Sequence, residues 1–348
     1  MKKFFLAALV AVFGCVNQVF AQSQLATLFR DGDVKTFYGI SALRDAHSNA
    51  EHGDVITLSS GTFNSVDITK AITLRGAGMQ YDSIAKTEPT ILTGDFTLAI
   101  PNDSTLQGYS LMMEGIDFQD DINLKNVIYN AQFVKCGIEG LGNGSSNYSS
   151  TLVNASLINC YILSLFIGPK GSVAAINSFI YNYFQRCSSS DLASTSSEFQ
   201  NCVLNLSDYP AYSTFRNCII KCTKSQSKIP YTSKAYGCIA FNSFENSNPF
   251  SDNSFNTYIS ELGDAAEALI FKTWDGVWYN NSIDGNLELT DAAKNKYLGT
   301  DGTQVGIYGG SIPFTARPSN PQITKLNVAS KSTADGKLSV DIEVKAAE

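Results

Sequence analysis

The chain has 348 residues and a formal net charge of −7, with 16% charged and 11% aromatic residues. An acidic chain without clustered basic residues is a poor partner for nucleic acid. A chain with so few Lys and Glu residues is also expected to form few surface helices. The composition therefore indicates a protein of mostly strand and turn that binds no nucleic acid.

The first 21 residues, MKKFFLAALVAVFGCVNQVFA, contain two lysines, an apolar run from Phe4 to Phe13 and a small-residue cleavage site ending at Ala21. This order is typical of a secretory signal peptide, because the run is too short to span a membrane. Cleavage removes two of the 25 basic residues and none of the 32 acidic ones, which leaves a formal charge of −9. A second interpretation is a lipoprotein signal, since Val12 to Cys15 form a loose lipobox that would leave an acylated Cys15.

Both interpretations place the mature protein outside the inner membrane, secreted, at the cell surface or in the periplasm. No other stretch of the sequence is long and apolar enough to span a membrane. The sequence leaves the oligomeric state open.

Residues 41 to 78 read SALRDAHSNAEHGDVITLSSGTFNSVDITKAITLRGAG, a short helix pattern followed by strands. The stretch resembles the N-terminal cap and first coils of right-handed parallel β-helix proteins, the pectin-lyase-like superfamily. In that family a helix covers the open end, Gly-Asp leads into the first strand, and Gly-Thr-Phe or Gly-Thr-Tyr marks a turn. Here Gly53-Asp54 and Gly61-Thr62-Phe63 take those places. A cap is needed because an exposed coil edge would recruit other chains.

Short apolar stretches then repeat through the middle of the chain at unequal spacing. Their equivalent positions are Cys136, Cys160, Ser178, Cys202, Cys218 and Cys238, at intervals of 24, 18, 24, 16 and 20 residues. Strands that must stack in register while their connections vary in length are typical of a β-solenoid. The repeat predicts one turn of a parallel β-helix, with ten to twelve coils in all.

The tetrapeptides FQNC at 199 to 202 and FRNC at 215 to 218 predict two columns in this stack. Asparagine tolerates the left-handed region, so a corner column is predicted at Asn159, Asn177, Asn201 and Asn217. The aligned cysteines are expected to be buried, reduced thiols that act as small apolar residues. Cys187 and Cys222 lie outside the column and are the cysteines expected to pair or to stay exposed. No Cys-x-x-Cys pair or neighbouring His points to a metal.

At the far end, residues 298 to 314, LGTDGTQVGIYGGSIPF, resemble the closing segment of secreted Gram-negative bacterial β-helix proteins, many without assigned activity. Beyond a linker, alternating apolar residues around Asp335-Gly336 predict a hairpin. The predicted fold is all-β, a right-handed parallel β-helix with an N-terminal cap helix and a short C-terminal β-hairpin. The predicted divisions of the chain are a signal peptide (1 to 21), an N-terminal region with the cap helix (22 to 53), the β-helix (54 to 314), and the linker with the hairpin (315 to 348). Within the β-helix division, residues 242 to 290 have no assigned structure.

The resemblance implies polysaccharide lyases and glycoside hydrolases among the relatives, but the fold alone does not fix the function. The Gly-His-Gly and Arg-Ile-Lys expected of a β-helix galacturonase do not occur. Both histidines, His47 and His52, lie in the predicted cap region, where we expect solvated structural residues.

The carboxylates closest together in a candidate site are Asp117, Asp120 and Asp121, with Lys125 as the nearest base. A pectate-lyase-like site would hold calcium on such carboxylates and use a basic side chain to abstract a proton. Asp117 and Asp121 share strand parity, but Asp120 does not. The group is therefore more typical of a solvated turn, and no cofactor is expected, with calcium as the alternative.

Trp274, Trp278 and Tyr279 are concentrated in FKTWDGVWYNN and could form an apolar platform for a sugar ring. They could equally pack against the end of the coil stack. The favoured function is a non-catalytic secreted or cell-surface β-helix that binds a glycan or another surface ligand. The alternative is a polysaccharide lyase or glycoside hydrolase with an unrecognised site.

Overall fold

The computed structural model describes the chain from residue 24 to residue 345 with internal gaps. The described residues are 24–101, 108–142, 150–168, 170–185, 196–206, 212–223, 229, 233–243, 247–250, 255–273, 287–319, 322–328, 331–333 and 335–345. Strands make up 44% and helices 9% of the structure, and the strands form a parallel β-solenoid. The predicted fold class is confirmed.

Two long sheets run the length of the solenoid. Sheet A has 11 strands. In chain order they are β1 (Leu25–Arg30), β2 (Asp33–Tyr38), β3 (Val55–Leu58), β5 (Thr73–Arg75), β8 (Met112–Glu114), β12 (Gln132–Val134), β15 (Ala155–Ile158), β17 (Val173–Ile176), β19 (Ser197–Gln200), β21 (Ser213–Arg216) and β23 (Lys234–Tyr236). Their spatial order is β2-β1-β3-β5-β8-β12-β15-β17-β19-β21-β23.

Sheet B has 12 strands and lies on the other side of a sharp corner. Its strands are β4 (Gly61–Asn64), β6 (Thr90–Thr93), β7 (Phe96–Leu98), β9 (Asp117–Phe118), β10 (Ile122–Leu124), β13 (Gly137–Leu141), β16 (Tyr161–Ile167), β18 (Phe179–Gln185), β20 (Val203–Leu206), β22 (Ile219–Cys222), β24 (Ile239–Asn242) and β25 (Thr257–Tyr258). A third, two-stranded parallel sheet pairs β11 (Val127–Tyr129) with β14 (Thr151–Val153).

The solenoid has about 8 turns, so the prediction of ten to twelve coils was wrong. One reason is that β5 pairs directly with β8, so that the long stretch between Arg75 and Met112 adds only a single turn. The other is that the last strand of the stack is β25, which ends at Tyr258. The spacing of the central repeats therefore could not be extended over the whole chain.

The corner between the sheets is formed by residues with positive φ, as predicted for the asparagine column. Asn159, Asn177, Asn201 and Asn217 have φ of 53°, 46°, 52° and 53°. Asparagine reaches this left-handed region at low cost, which allows the chain to leave sheet A and enter sheet B within two residues.

The interior of the stack is apolar and its columns follow the predicted register. Phe199 pairs with Phe215 across the sheet, and their rings stack with centroids 5.2 Å apart. The aligned thiols are buried and free: Cys136, Cys160, Cys202, Cys218 and Cys238. Buried Ser178 occupies the same column, where its Oγ donates to the Ile176 carbonyl at 2.9 Å.

The expectation that Cys222 would pair or stay exposed was wrong. Cys222 is 1% exposed and free, because it ends β22 on the inward face and joins the core. Cys187 lies outside the described residues.

The N-terminal cap contains helix α1 (Ala42–Asn49) and an antiparallel hairpin of β1 and β2, which the sequence did not predict. Strand β1 also pairs antiparallel with β3, so the hairpin extends sheet A beyond its first parallel strand. Helix α1 buries Ala42, Leu43, Ala46 and His47. His47 is therefore structural but not solvated, because its ring is 7% exposed and its Nε2 accepts a hydrogen bond from Thr69 N at 3.3 Å. His52 Nδ1 accepts from Ala71 N at 2.9 Å.

A second apolar core lies on the outer face of sheet B. The outward residues Phe179, Val203, Ile219 and Ile239 pack with residues of the segment that follows the last coil. This segment contains α2 (Gly263–Ile270) and α3 (Asp291–Lys296). Lys221 of β22 donates to the buried carboxylate of Glu267 in α2, which ties that helix to the sheet. Within the predicted β-helix division, the described part from residue 259 to 314 thus consists of helices and irregular chain.

The C-terminal hairpin pairs β26 (Gln322–Val328) antiparallel with β27 (Val340–Lys345). Its turn region includes Gly336, whose φ of 78° favours glycine. In the part of the chain that the structure describes, no helix combines the length and hydropathy needed to cross a membrane.

Candidate functional site

The corner between sheets A and B is enlarged in one coil. Elsewhere two residues turn the chain, as Asn201 and Cys202 do between β19 and β20. Between β5 and β6, residues 76 to 89 make the turn, and residues 79 to 89 are named the corner insertion. The enlarged turn starts close to the next coil: a Cβ on Gly76 would lie 2.4 Å from the carbonyl oxygen of Gly115, so only glycine fits.

Asp82 shapes the corner insertion. Its side chain is 8% exposed, and its Oδ1 accepts hydrogen bonds from Ile84 N at 2.8 Å and Ala85 N at 3.0 Å. The backbones of Asp82 and Thr87 bond to each other in both directions, at 3.0 and 3.3 Å. This carboxylate therefore serves the loop geometry, as Asp commonly does in turns.

Residues 297 to 318, named the strap, run back along the asparagine corner. Asn217 Oδ1 accepts from Thr300 N at 2.8 Å. Further along, Asn177 Nδ2 donates to the carbonyl oxygens of Ile307 and Gly309, each at 2.7 Å. Because Asn177 precedes Asn217 in the stack, the strap travels from the last coils toward the N-terminal ones.

The strap ends against the corner insertion. Pro318 packs on Gly78 and Gly115, since a Cβ on either glycine would lie 3.5 Å from a Pro318 carbon. Gly78 directly precedes the insertion. The asparagine column therefore holds the strap on a path that ends at the corner insertion, a segment distant from it in the sequence.

A pocket of about 160 Å³ opens where the strap meets the corner insertion. Its lining residues are Gln80, Tyr81, Asp82, Ser83, Tyr308, Phe314, Thr315, Ala316 and Arg317. An apolar cavity of about 150 Å³ is known to hold benzene, so this corner pocket has room for one six-membered ring.

The corner pocket combines aromatic rings with hydrogen-bonding groups. Tyr308 and Phe314 meet edge to face, with ring centroids 6.1 Å apart, and form one wall. Tyr81, which is 44% exposed, lines the pocket from the insertion. Rings that present a face beside amide, hydroxyl and guanidinium groups are suited to a sugar, which has apolar faces and a polar rim.

Four carboxylates lie near one another on this side of the solenoid: Asp117 in β9, Asp120 and Asp121 in the turn that follows it, and Glu139 in β13. Burial raises the pKa of Asp117 from 3.8 to about 6; a hydrogen bond from Gln119 opposes the rise and the charge of Glu139 adds to it. Burial and the charges of Asp121 and Asp120 raise the pKa of Glu139 as well.

Two glycines leave space beside these carboxylates. A Cβ on Gly137 would lie 2.7 Å from Asp117 Oδ1, and one on Gly140 would lie 2.1 Å from Asp121 Oδ1. The carboxylates of Asp117 and Asp121 therefore extend over the next coil, where a side chain in place of either glycine would displace them. Strand parity does not relate Asp117 to Asp121 as the sequence suggested, because β9 ends at Phe118 and both Asp120 and Asp121 are exposed in the turn before β10.

Lys125 does not join this group. Its Nζ contacts Asp67 at 3.1 Å. Among the described residues no group of three or more His, Cys, Asp or Glu side chains is arranged to hold a metal ion. The expected acidic turn is thus present, but the base that a lyase-like mechanism would use is paired elsewhere.

The sequence-predicted aromatic platform, Trp274, Trp278 and Tyr279, lies outside the described residues. The pocket residues Tyr81, Tyr308 and Arg317 were missed by sequence reasoning. One signal could have indicated the insertion that holds Tyr81: the interval between the two strands that flank it is longer than in the repeats that follow.

In comparisons with known proteins, no family model, curated protein or solved structure matches the chain.

Proposed function

We propose that the protein is a non-catalytic secreted or cell-surface β-helix protein that binds a glycan in the corner pocket. The observation that carries the proposal is the pocket of about 160 Å³, lined by three aromatic rings together with amide, hydroxyl and guanidinium groups. Aromatic faces give a sugar ring a large contact area, and polar groups at the rim fix its orientation.

The architecture of the pocket supports a binding role. The asparagine corner holds the strap, and Asp82 holds the insertion, so both walls are positioned before a ligand arrives. A preformed site loses less conformational entropy on binding. No cofactor is part of this proposal.

We further propose that the chain is a pectin-lyase-like β-helix exported through its N-terminal signal. The cap helix, the turn at Gly53-Asp54 and the parallel coils support the first part. The signal pattern of residues 1 to 21 supports the second, with lipid anchoring through Cys15 as the alternative to free secretion. Bacterial origin rests on the same signal and on the resemblance of residues 298 to 314.

A glycan array followed by calorimetry on residues 22 to 348 tests the proposal. Tyr81→Ala should weaken binding about fivefold to twentyfold, because it removes one aromatic wall. Tyr129→Ala is the matched control, since Tyr129 is 53% exposed on β11 and does not line the pocket. Equal effects of the two substitutions, or no glycan bound by the parent protein, would contradict the proposal.

The aromatic platform at Trp274, Trp278 and Tyr279 is proposed as a second contact for a longer glycan. Trp274→Ala or Trp278→Ala should then weaken binding of oligosaccharides but not of a monosaccharide. Thermal unfolding of each variant is needed beside the binding data, because packing of these rings is the competing role.

An enzymatic function is the second candidate, and the pKa of Asp117 favours it. A carboxyl with a pKa of about 6 can act as a general acid near neutral pH, as in glycoside hydrolysis. The test is release of reducing or unsaturated sugar ends from pectin, alginate and polygalacturonate, with calcium present. We expect none. Turnover that Asp117→Asn abolishes and the exposed control Asp120→Asn leaves intact would overturn the non-catalytic proposal.

A further inference from the structure

Arg317 is the cationic side chain in the corner pocket. Only Asp82 and Arg317 carry a formal charge among the lining residues. Asp82 is buried, and its Oδ1 already accepts two backbone hydrogen bonds. Among the described residues, the guanidinium of Arg317 has no carboxylate within ion-pair distance. The charge exposed to a ligand at this pocket is therefore that of Arg317, although the buried Asp82 keeps its carboxylate charge and the whole chain has a formal charge of −7.

The surroundings limit how much negative charge a ligand can carry. Pro318, which follows Arg317, packs on Gly115, and Asp117 lies two residues beyond that glycine. Asp117 begins β9, Asp120 and Asp121 follow in the next turn, and Glu139 lies in the paired strand β13. Like charges repel, so a chain of consecutive acidic sugars would meet carboxylates as soon as it left the pocket in that direction.

Resting on the proposed function, we propose that the corner pocket selects a single sugar unit bearing an anionic group, carried on an otherwise uncharged glycan. Arg317 is the specificity-determining residue, because guanidinium groups bind carboxylate and sulfate oxygens through paired charge-assisted hydrogen bonds. The pocket volume admits one ring, and the neighbouring carboxylates disfavour a second acidic ring. A uronic acid and a sulfated hexose share this chemistry.

Calorimetry with matched sugars tests the inference on residues 22 to 348. The probes are methyl glycosides of glucose, galactose and mannose, the corresponding uronic acids and the corresponding 6-sulfates. In at least one series the acidic sugar should bind about threefold to tenfold tighter than the neutral one at low salt, as expected for a partly exposed charge-assisted contact. Comparison of the uronic acid with the sulfate identifies the source of the anion.

Arg317→Gln should remove the preference while neutral sugars bind as before. Lys86→Gln is the matched control, since Lys86 is an exposed cation of the corner insertion that does not line the pocket. Thermal unfolding of both variants should match the parent, because both side chains are exposed.

The outcomes distinguish failure of this inference alone from failure of the proposed function. If neutral and acidic sugars bind equally, or if Arg317→Gln keeps the preference, the anionic-sugar inference is overturned and glycan binding stands. If polygalacturonate binds more tightly than the single uronic acid at equal sugar concentration, the limit to one acidic unit is overturned. If no sugar of any kind binds, the proposed function and this inference fail together.

Discussion

Asn201 and Asn217 occupy the same corner in neighbouring coils but differ in what their side chains bind. Asn217 Oδ1 accepts from Thr300 N and Oγ1 of the strap, at 2.8 and 3.1 Å. The amide of Asn201 is buried against Gly309 and Gly310 and has no hydrogen-bond partner within the described chain. The backbone requirement is the same, since the two φ angles are 53° and 52°.

This difference predicts unequal costs for the same substitution. Asn217→Gly and Asn201→Gly both keep access to positive φ, but only the first removes hydrogen bonds to the strap. Asn217→Gly should therefore lower the free energy of unfolding by about 1 to 2 kcal/mol more than Asn201→Gly. Urea titration of the two variants measures the difference. Equal costs would mean that the strap is not held through Asn217.

The stacked thiols are predicted to be unreactive toward alkylating reagents in the folded protein. Burial raises the pKa of Cys160 to about 12 and that of Cys218 well above its usual range. A buried thiol that does not ionise is neither nucleophilic nor accessible. Cys160, Cys202 and Cys218 should resist iodoacetamide in the native protein and react after unfolding, as read by mass spectrometry. Rapid native labelling of these residues, or a disulfide mapped between any two of them, would refute the prediction.

At the scale of an element, helix α1 depends on a neutral histidine. Burial, followed by the charge of Lys70, lowers the pKa of His47 from 6.5 to about 4, while Asp67 opposes the shift. Between these two values the unfolded chain binds more protons than the folded one. Stability should therefore be complete above about pH 6.5 and fall as the pH drops toward 4, by about 2 kcal/mol after allowance for partial solvation.

Urea unfolding at pH 7.0, 5.5 and 4.5 measures this dependence. His47→Gln keeps a hydrogen-bonding side chain but cannot titrate, so the loss of stability between pH 7.0 and 4.5 should shrink. Ser48→Ala, an exposed and non-titrating position in the same helix, is the matched control and should leave the slope as it is. A slope unchanged by His47→Gln would place the acid sensitivity elsewhere.

At the scale of the whole molecule, the features predictable from sequence are those that repeat. The corner asparagines, the thiol column and the stacking of Phe199 on Phe215 all follow from coils that match their neighbours. The second core could not be predicted, because its outward apolar residues look like interior ones in the sequence pattern. Its partners in α2, α3 and the strap are remote in the chain and carry no repeat.

The same reasoning explains why the corner pocket was missed. Tyr81 and Arg317 belong to segments that meet only because the strap follows the asparagine column. No local pattern encodes that meeting. Asp117, by contrast, was identified from the sequence, but its raised pKa depends on burial that only the folded chain provides.

The final prediction concerns what the strap does for the molecule. Gly306 has φ of 83°, and a Cβ there would lie 2.8 Å from Ile219 Cδ1, so the strap lies directly on the outer face of sheet B. A chain ending at residue 297 should keep its strand signal in far-UV circular dichroism, since each coil contacts its neighbours. It should also bind a hydrophobic dye and self-associate, because Val203 and Ile219 lose their cover.

A chain ending at residue 321 is the matched control, since it lacks the C-terminal hairpin but retains the strap. It should bind no hydrophobic dye and should keep the corner pocket, which is lined by residues up to Arg317. The point substitution Gly306→Ala should give an intermediate result, because it strains the backbone and crowds Ile219 without removing the strap. If the chain ending at 297 is monomeric and binds no dye, the second core does not depend on the strap. The corner pocket, which is built on the end of the strap, would then lose its structural basis.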